Sequence, residues 1–109
     1  MEKNIENRIY IDSQIYIRDY NKIKNAIIKT STTFEPNLIY SRKIQEHINF
    51  LLEKDIITCD MKNEFEIFTK YRNVLLHCSK NNGALLDIYT DLKYFLYKLN
   101  VCIEEYLEN

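Results

Sequence analysis

Apolar residues recur along this chain at steps of three and four, the spacing that lines one side of an α-helix. From Glu2 to Lys29 the stripe runs Ile5, Ile9, Asp12, Tyr16, Tyr20, Ile23 and Ile27, and it predicts a first helix over 2–29. The alternation IYIDSQIYI competes locally. Read alone, Ile9-Tyr10-Ile11 and Ile15-Tyr16-Ile17 are two short strands, because β-branched and aromatic residues suit a pleated surface. The longer period favours the helix. The following TSTTFEPN clusters hydroxyls before the only proline, Pro36, which turns Glu35 away from helical geometry, so this stretch reads as a loop.

A second helix is predicted from Asn37 to Lys54, with Leu38, Ser41, Ile44, Ile48, Leu51 and Leu52 facing inward. His47 lies on the border of that face and reads as a partly exposed surface histidine, with no cysteine or second histidine one turn away. The segment KDIIT makes a turn, and Thr58 is the natural N-cap of a third helix, Cys59 to Ser79, striped by Met61, Phe65, Phe68, Tyr71, Leu75 and Cys78. KNNG closes that helix with residues that tolerate left-handed geometry. A fourth helix, Ala84 to Leu107, carries Leu85, Ile88, Leu92, Phe95, Leu96, Leu99, Cys102, Ile103 and Tyr106. Four amphipathic helices on short connections predict an all-α fold, an antiparallel four-helix bundle.

Composition narrows the picture further. The 109 residues suit a single domain, 1–109, with one core, and one glycine and one proline leave little material for the many turns of a β fold. The three cysteines are odd in number and have no Cys-x-x-Cys spacing, which excludes a disulfide framework or a zinc finger and makes a reducing cytoplasm the expected location. No segment approaches the ~20 apolar residues of a membrane span. The formal net charge of −1 gives no overall attraction to nucleic acid, so any RNA site must be a local patch. There is no glycine-rich phosphate loop, nucleophile elbow or His-Glu-x-x-His helix. A metal set of His47, Cys59, His77 and Cys78 is disfavoured because His77 and Cys78 are adjacent, and no cofactor is expected.

Polar chemistry concentrates in FTKYRNVLLHCSK, Phe68 to Lys80. At about 100° per residue, Asn73 and His77 project to one side, away from Phe65, Phe68 and Leu75. Arg72 falls beside the apolar stripe, where a guanidinium is costly unless it meets an anion, a carboxylate or open solvent. Arg72 and His77 stand roughly 140° apart, so one chain does not bring them into one compact site by spacing alone. A plain reading remains: Arg72 snorkels outward, Asn73 is solvated and His77 decorates the helix end.

The stretch LLEKDIITCDMKNEFEIFTKYRNVLLH, Leu51 to His77, resembles HEPN domains, small helical bundles common in bacterial defence and toxin-antitoxin systems. Their mark is an Arg, a polar residue and a His after four to six intervening positions, matched here by Arg72, Asn73 and His77 with four between. The resemblance implies a metal-independent endoribonuclease acting as a homodimer, with motifs of two chains meeting in one cleft. It implies His77 as general acid or base, Arg72 as the phosphate clamp and Asn73 as an orienting group; RNA supplies its own 2′-hydroxyl nucleophile. Lys70 and Lys80 would add phosphate contacts and Tyr71 a base-stacking ring, although a tyrosine at that position also suits the bundle interior. In the toxin branch paired with a nucleotidyltransferase antitoxin, a Tyr two positions after the His accepts adenylate; here that position is Ser79. The alternatives are a non-catalytic HEPN-like dimerisation or partner-binding module beside an antitoxin or nucleotidyltransferase, or an unrelated helical adaptor that uses an exposed apolar face.

Overall fold

The computed structural model of the protein describes residues 9–77 and 83–109. Among them are a two-residue strand β1 (Tyr10–Ile11) and helix α1 (Ser13–Phe34), then a 3-10 turn (Pro36–Tyr40) and helix α2 (Ile44–Glu53). Helix α3 (Cys59–His77), strand β2 (Ala84–Leu85) and helix α4 (Leu86–Glu108) complete the order. The fold is thus mainly helical, with four α-helices, as the periodicity predicts. Helix α1 is the central element and packs against the 3-10 turn and all three other helices. Its Tyr16, Tyr20, Ile23 and Ile27 meet Ile48 and Leu51 of α2, Phe65 and Phe68 of α3, and Leu92, Phe95 and Leu99 of α4 in one buried core.

The start of the first helix departs from the expectation. Residues 2–8 lie outside the described part of the chain, and α1 begins at Ser13 because the Asp12 carboxylate accepts a hydrogen bond from the Gln14 amide at 2.7 Å and caps it. The segment before the cap takes the competing extended reading. Tyr10 and Ile11 pair antiparallel with Leu85 and Ala84, and the Leu86 amide donates to the Ile9 carbonyl at 3.0 Å. Gly83 enters this pairing at φ +78°, and a Cβ there would sit 2.1 Å from the Ile11 carbonyl oxygen. Ile15-Tyr16-Ile17 is helical, as the longer period requires.

The end of α1 departs as well. The hydroxyl cluster expected to form a loop continues the helix to Phe34, with Thr32 and Thr33 donating back to the Ile28 and Lys29 carbonyls at 2.9 and 2.7 Å. Phe34 then packs edge-on against Tyr106, with ring centroids 5.3 Å apart. Pro36 opens the 3-10 turn, so the predicted second helix is split and its α-helical part starts only at Ile44.

His47 is the largest correction: it is 1 % exposed, not a surface residue. Its Nδ1 lies 2.6 Å from the Ser31 hydroxyl, and its Nε2 donates to the Ser41 carbonyl at 3.3 Å. The same Ser31 hydroxyl also donates to the Ile28 carbonyl at 3.0 Å, so it joins the ring to the backbone of α1. The turn after α2 is as expected. Asp55, at φ 59°, follows the helix cap, and the Ile56 and Asp55 amides donate to the Leu51 and Leu52 carbonyls at 2.9 and 3.0 Å. Thr58 caps α3 through its hydroxyl, which accepts from the Met61 amide at 3.2 Å. Ala84 and Leu85, placed in the fourth helix by the sequence pattern, instead form β2, and α4 starts at Leu86, two residues later than predicted.

Candidate active site

Two tyrosines one turn apart on α1 dock the segment of α3 that carries the motif. The Tyr16 hydroxyl donates to the Phe68 carbonyl at 2.9 Å. The Tyr20 hydroxyl lies 2.7 Å from Thr69 Oγ1, which gives its own hydrogen to the Phe65 carbonyl at 2.9 Å; Tyr20 is therefore the donor. Both tyrosines are fully buried. Because donor and acceptor positions are fixed on successive residues of α3, the rotation of this helix against α1 is set just before Arg72.

Arg72 is half-buried and lies against the same ring. Its guanidinium carbon stands 4.8 Å from the Tyr20 ring centroid, and Phe65, two turns earlier on α3, stacks on Tyr20 at 5.5 Å with the planes 13° apart. The Arg72 Nε is buried and has no hydrogen-bond partner, and among the described residues no carboxylate forms an ion pair with this guanidinium. An aromatic face replaces the missing anion only in part, because a buried N–H of a charged group without an acceptor is costly. Burial raises the pKa of Tyr16 well above the ordinary phenol value; neighbouring Tyr20 and Tyr71 raise it further, and Arg72 opposes them. Tyr16 therefore stays a neutral donor beside Arg72.

Tyr71 points into the fold, not toward solvent alone. It is half-buried, with its ring 5.6 Å from that of Tyr16, and its hydroxyl donates to the Gly83 carbonyl at 3.3 Å and accepts from the Leu85 amide at 3.2 Å. It ties α3 to β2. Asn73 and His77 are exposed, and Lys70 is exposed one and two turns before them. These three share the outer side of α3, as the wheel predicts, with Arg72 on the buried side. Lys80, Ser79 and Cys78 lie outside the described residues. Ile67 and Val74, which line the same outer side, are 55 % and 57 % exposed.

Among the described residues no group of three or more His, Cys, Asp or Glu is placed to hold a metal ion. No helix among them is long and apolar enough to cross a membrane. Sequence reasoning missed Tyr16 and Tyr20 as the seat of Arg72, although their four-residue spacing placed both on the face that meets α3. It also missed a polar cluster on α1 and α4 in which the Tyr89 hydroxyl donates to Asp19 Oδ2 at 2.6 Å. No protein-family model matches the chain, and neither a curated protein nor a solved structure is significantly similar to it.

Proposed function

We propose that the protein is a metal-independent endoribonuclease of the HEPN type, with a composite site formed by two copies of α3. The observation that carries this reading is Arg72: a half-buried guanidinium with, among the described residues, an unpartnered Nε and no neutralising carboxylate, on the helix that exposes His77. Such a cation suits a phosphodiester, whose oxygens accept from the guanidinium fork. In the reaction, one His77 takes the proton of the 2′-hydroxyl, whose oxygen attacks the adjacent phosphorus. The bond to the 5′-oxygen breaks, and the second copy's His77 gives that oxygen a proton. The products are a 2′,3′-cyclic phosphate and a 5′-hydroxyl. One histidine cannot be acid and base at once, so the reading needs the dimer. Exposed Ile67 and Val74 beside Lys70 and His77 supply apolar area for the second copy.

Cleavage of mixed RNA in EDTA, compared among the wild-type protein, His77→Ala and Arg72→Ala with product ends identified, tests the proposal. Cyclic-phosphate ends made by the wild type and lost in both variants support it. A folded dimer that leaves RNA intact overturns it and favours the second reading, a non-catalytic dimerisation or partner-binding module. The contact of Arg72 with Tyr20 favours that second reading, since it gives the arginine a structural seat.

A further inference from the structure

A separate cleft lies between α1 and α4. Arg18 and Lys22, one turn apart on α1, and Lys93 on α4 line it together with Asp19, Ile23 and Leu96, around a cavity of about 180 Å³. Three cations face one carboxylate here, in a chain whose net charge is −1. The carboxylate is already fully engaged. Asp19 Oδ1 accepts from Arg18 Nε at 3.1 Å and lies 3.6 Å from Lys22 Nζ, while Oδ2 accepts from the Tyr89 hydroxyl. Tyr89 also sets the third cation, because the Lys93 ammonium stands over its ring at 5.3 Å. Lys93 has no ion pair among the described residues.

A cluster that only closed on itself would balance its charges; this one holds two positive charges in excess at the mouth of a cavity. Asp19 is 8 % exposed, whereas the Arg18 and Lys22 side chains are 60 % and 62 % exposed. An incoming anion therefore meets the cations first, with the buried carboxylate serving to hold them. The Arg18 fork and two ammonium groups match the oxygens of a phosphate, and Ile23 and Leu96 offer an apolar wall to the carbon side of its ester. We propose that this cleft binds a phosphate ester, contributed by a mononucleotide or by an RNA strand. The proposal goes beyond the ribonuclease reading and does not depend on it.

The test is a titration of isotope-labelled His77→Ala protein, used so that any cleavage through His77 does not confound binding, with adenosine monophosphate and with a short single-stranded RNA at low salt. Amide shifts around Arg18, Lys22 and Lys93 report binding directly, with no need for cleavage. Arg18→Gln and Lys93→Gln should each weaken binding about tenfold, the loss of one or two charge-assisted hydrogen bonds. Arg42→Gln, an exposed cation in the connection between the 3-10 turn and α2, should leave it within about twofold. Saturable shifts with both ligands identify a free phosphate ester as sufficient, and shifts with RNA alone identify a strand; each supports the cleft as the site. Absence of saturable shifts there with either ligand, or an equal loss in Arg42→Gln, would overturn the proposal.

Discussion

Arg72 and Tyr20 meet face to cation: the guanidinium carbon stands 4.8 Å from the ring centroid while the guanidinium Nε has no partner among the described residues. A contact of this kind is worth about 0.5–2 kcal/mol, against a cost of about 1–3 kcal/mol for an unsatisfied buried donor. The two nearly cancel. Stability alone therefore gives little reason for an arginine at a position on the buried side of α3.

Arg72→Met separates the two roles. Methionine keeps the long apolar stem against Tyr20 and removes the unpartnered nitrogen, so the urea midpoint should correspond to a stability within about 1 kcal/mol of wild type. RNA cleavage, where the wild type shows it, should be lost. A Met variant that still cleaves would remove Arg72 from the active site, and one that barely folds would make the arginine structural.

Tyr20→Phe tests the docking of α3 without disturbing the cation's ring. The Thr69 hydroxyl keeps its own donor bond to Phe65, so the variant leaves only an acceptor short of a partner and should cost about 1 kcal/mol. Tyr20→Leu removes the ring itself and should cost roughly 2–4 kcal/mol. Chemical denaturation of both variants gives the comparison; equal losses would mean that the ring contributes nothing beyond its hydroxyl.

How much of this was legible depended on period. Phe65, Phe68, Leu92, Phe95 and Leu99 were readable as core because a three-and-four spacing has one meaning once a helix is granted. Arg72 stood out as the polar residue on that face. His47 was misread because a histidine at a stripe's edge is buried or exposed according to what covers it, and its cover is Ser31, sixteen residues earlier, on a stretch read as loop. That stretch is helical because its hydroxyls bond back to the helix carbonyls, a choice local composition does not decide. β1 was a competing reading that the longer period overrode, and what reversed the outcome was a partner strand seventy-five residues away in Leu85. Neither Asp19 with Tyr89 nor the gathering of Arg18, Lys22 and Lys93 carries a local signal, since the residues come from opposite ends of the chain.

Gly83→Ala should unsettle the clamp between the two strands. Alanine would have to adopt φ +78° and place its Cβ 2.1 Å from the Ile11 carbonyl oxygen, which is backbone and not free to move aside. The expected loss is more than about 2 kcal/mol. Hydrogen exchange should show it first at the Leu86 amide, which donates to the Ile9 carbonyl, and unchanged protection there would rule out the clamp as a source of stability.

Acid titration should expose the Asp19 cluster. Burial opposes ionisation of this carboxyl, but the hydrogen bond from Tyr89, the hydrogen bond and charge of Arg18 and the charge of Lys22 outweigh it, and its pKa lies below the ordinary aspartate value. A carboxyl more acidic in the folded than in the unfolded chain stabilises the fold fully above the unfolded value of ~3.9, and that stabilisation is lost as pH falls through the lower folded value. Wild type should therefore lose stability on acidification more steeply than Asp19→Asn, with the curves converging below the lowered folded value and diverging toward neutrality. Tyr89→Phe removes the hydroxyl donor and should move the acid transition upward in pH. Urea midpoints measured across this range decide it: if wild type and Asp19→Asn run parallel at every pH, the cluster gives the fold no net stability, and Arg18 and Lys22 are held at the cleft by something other than this carboxylate.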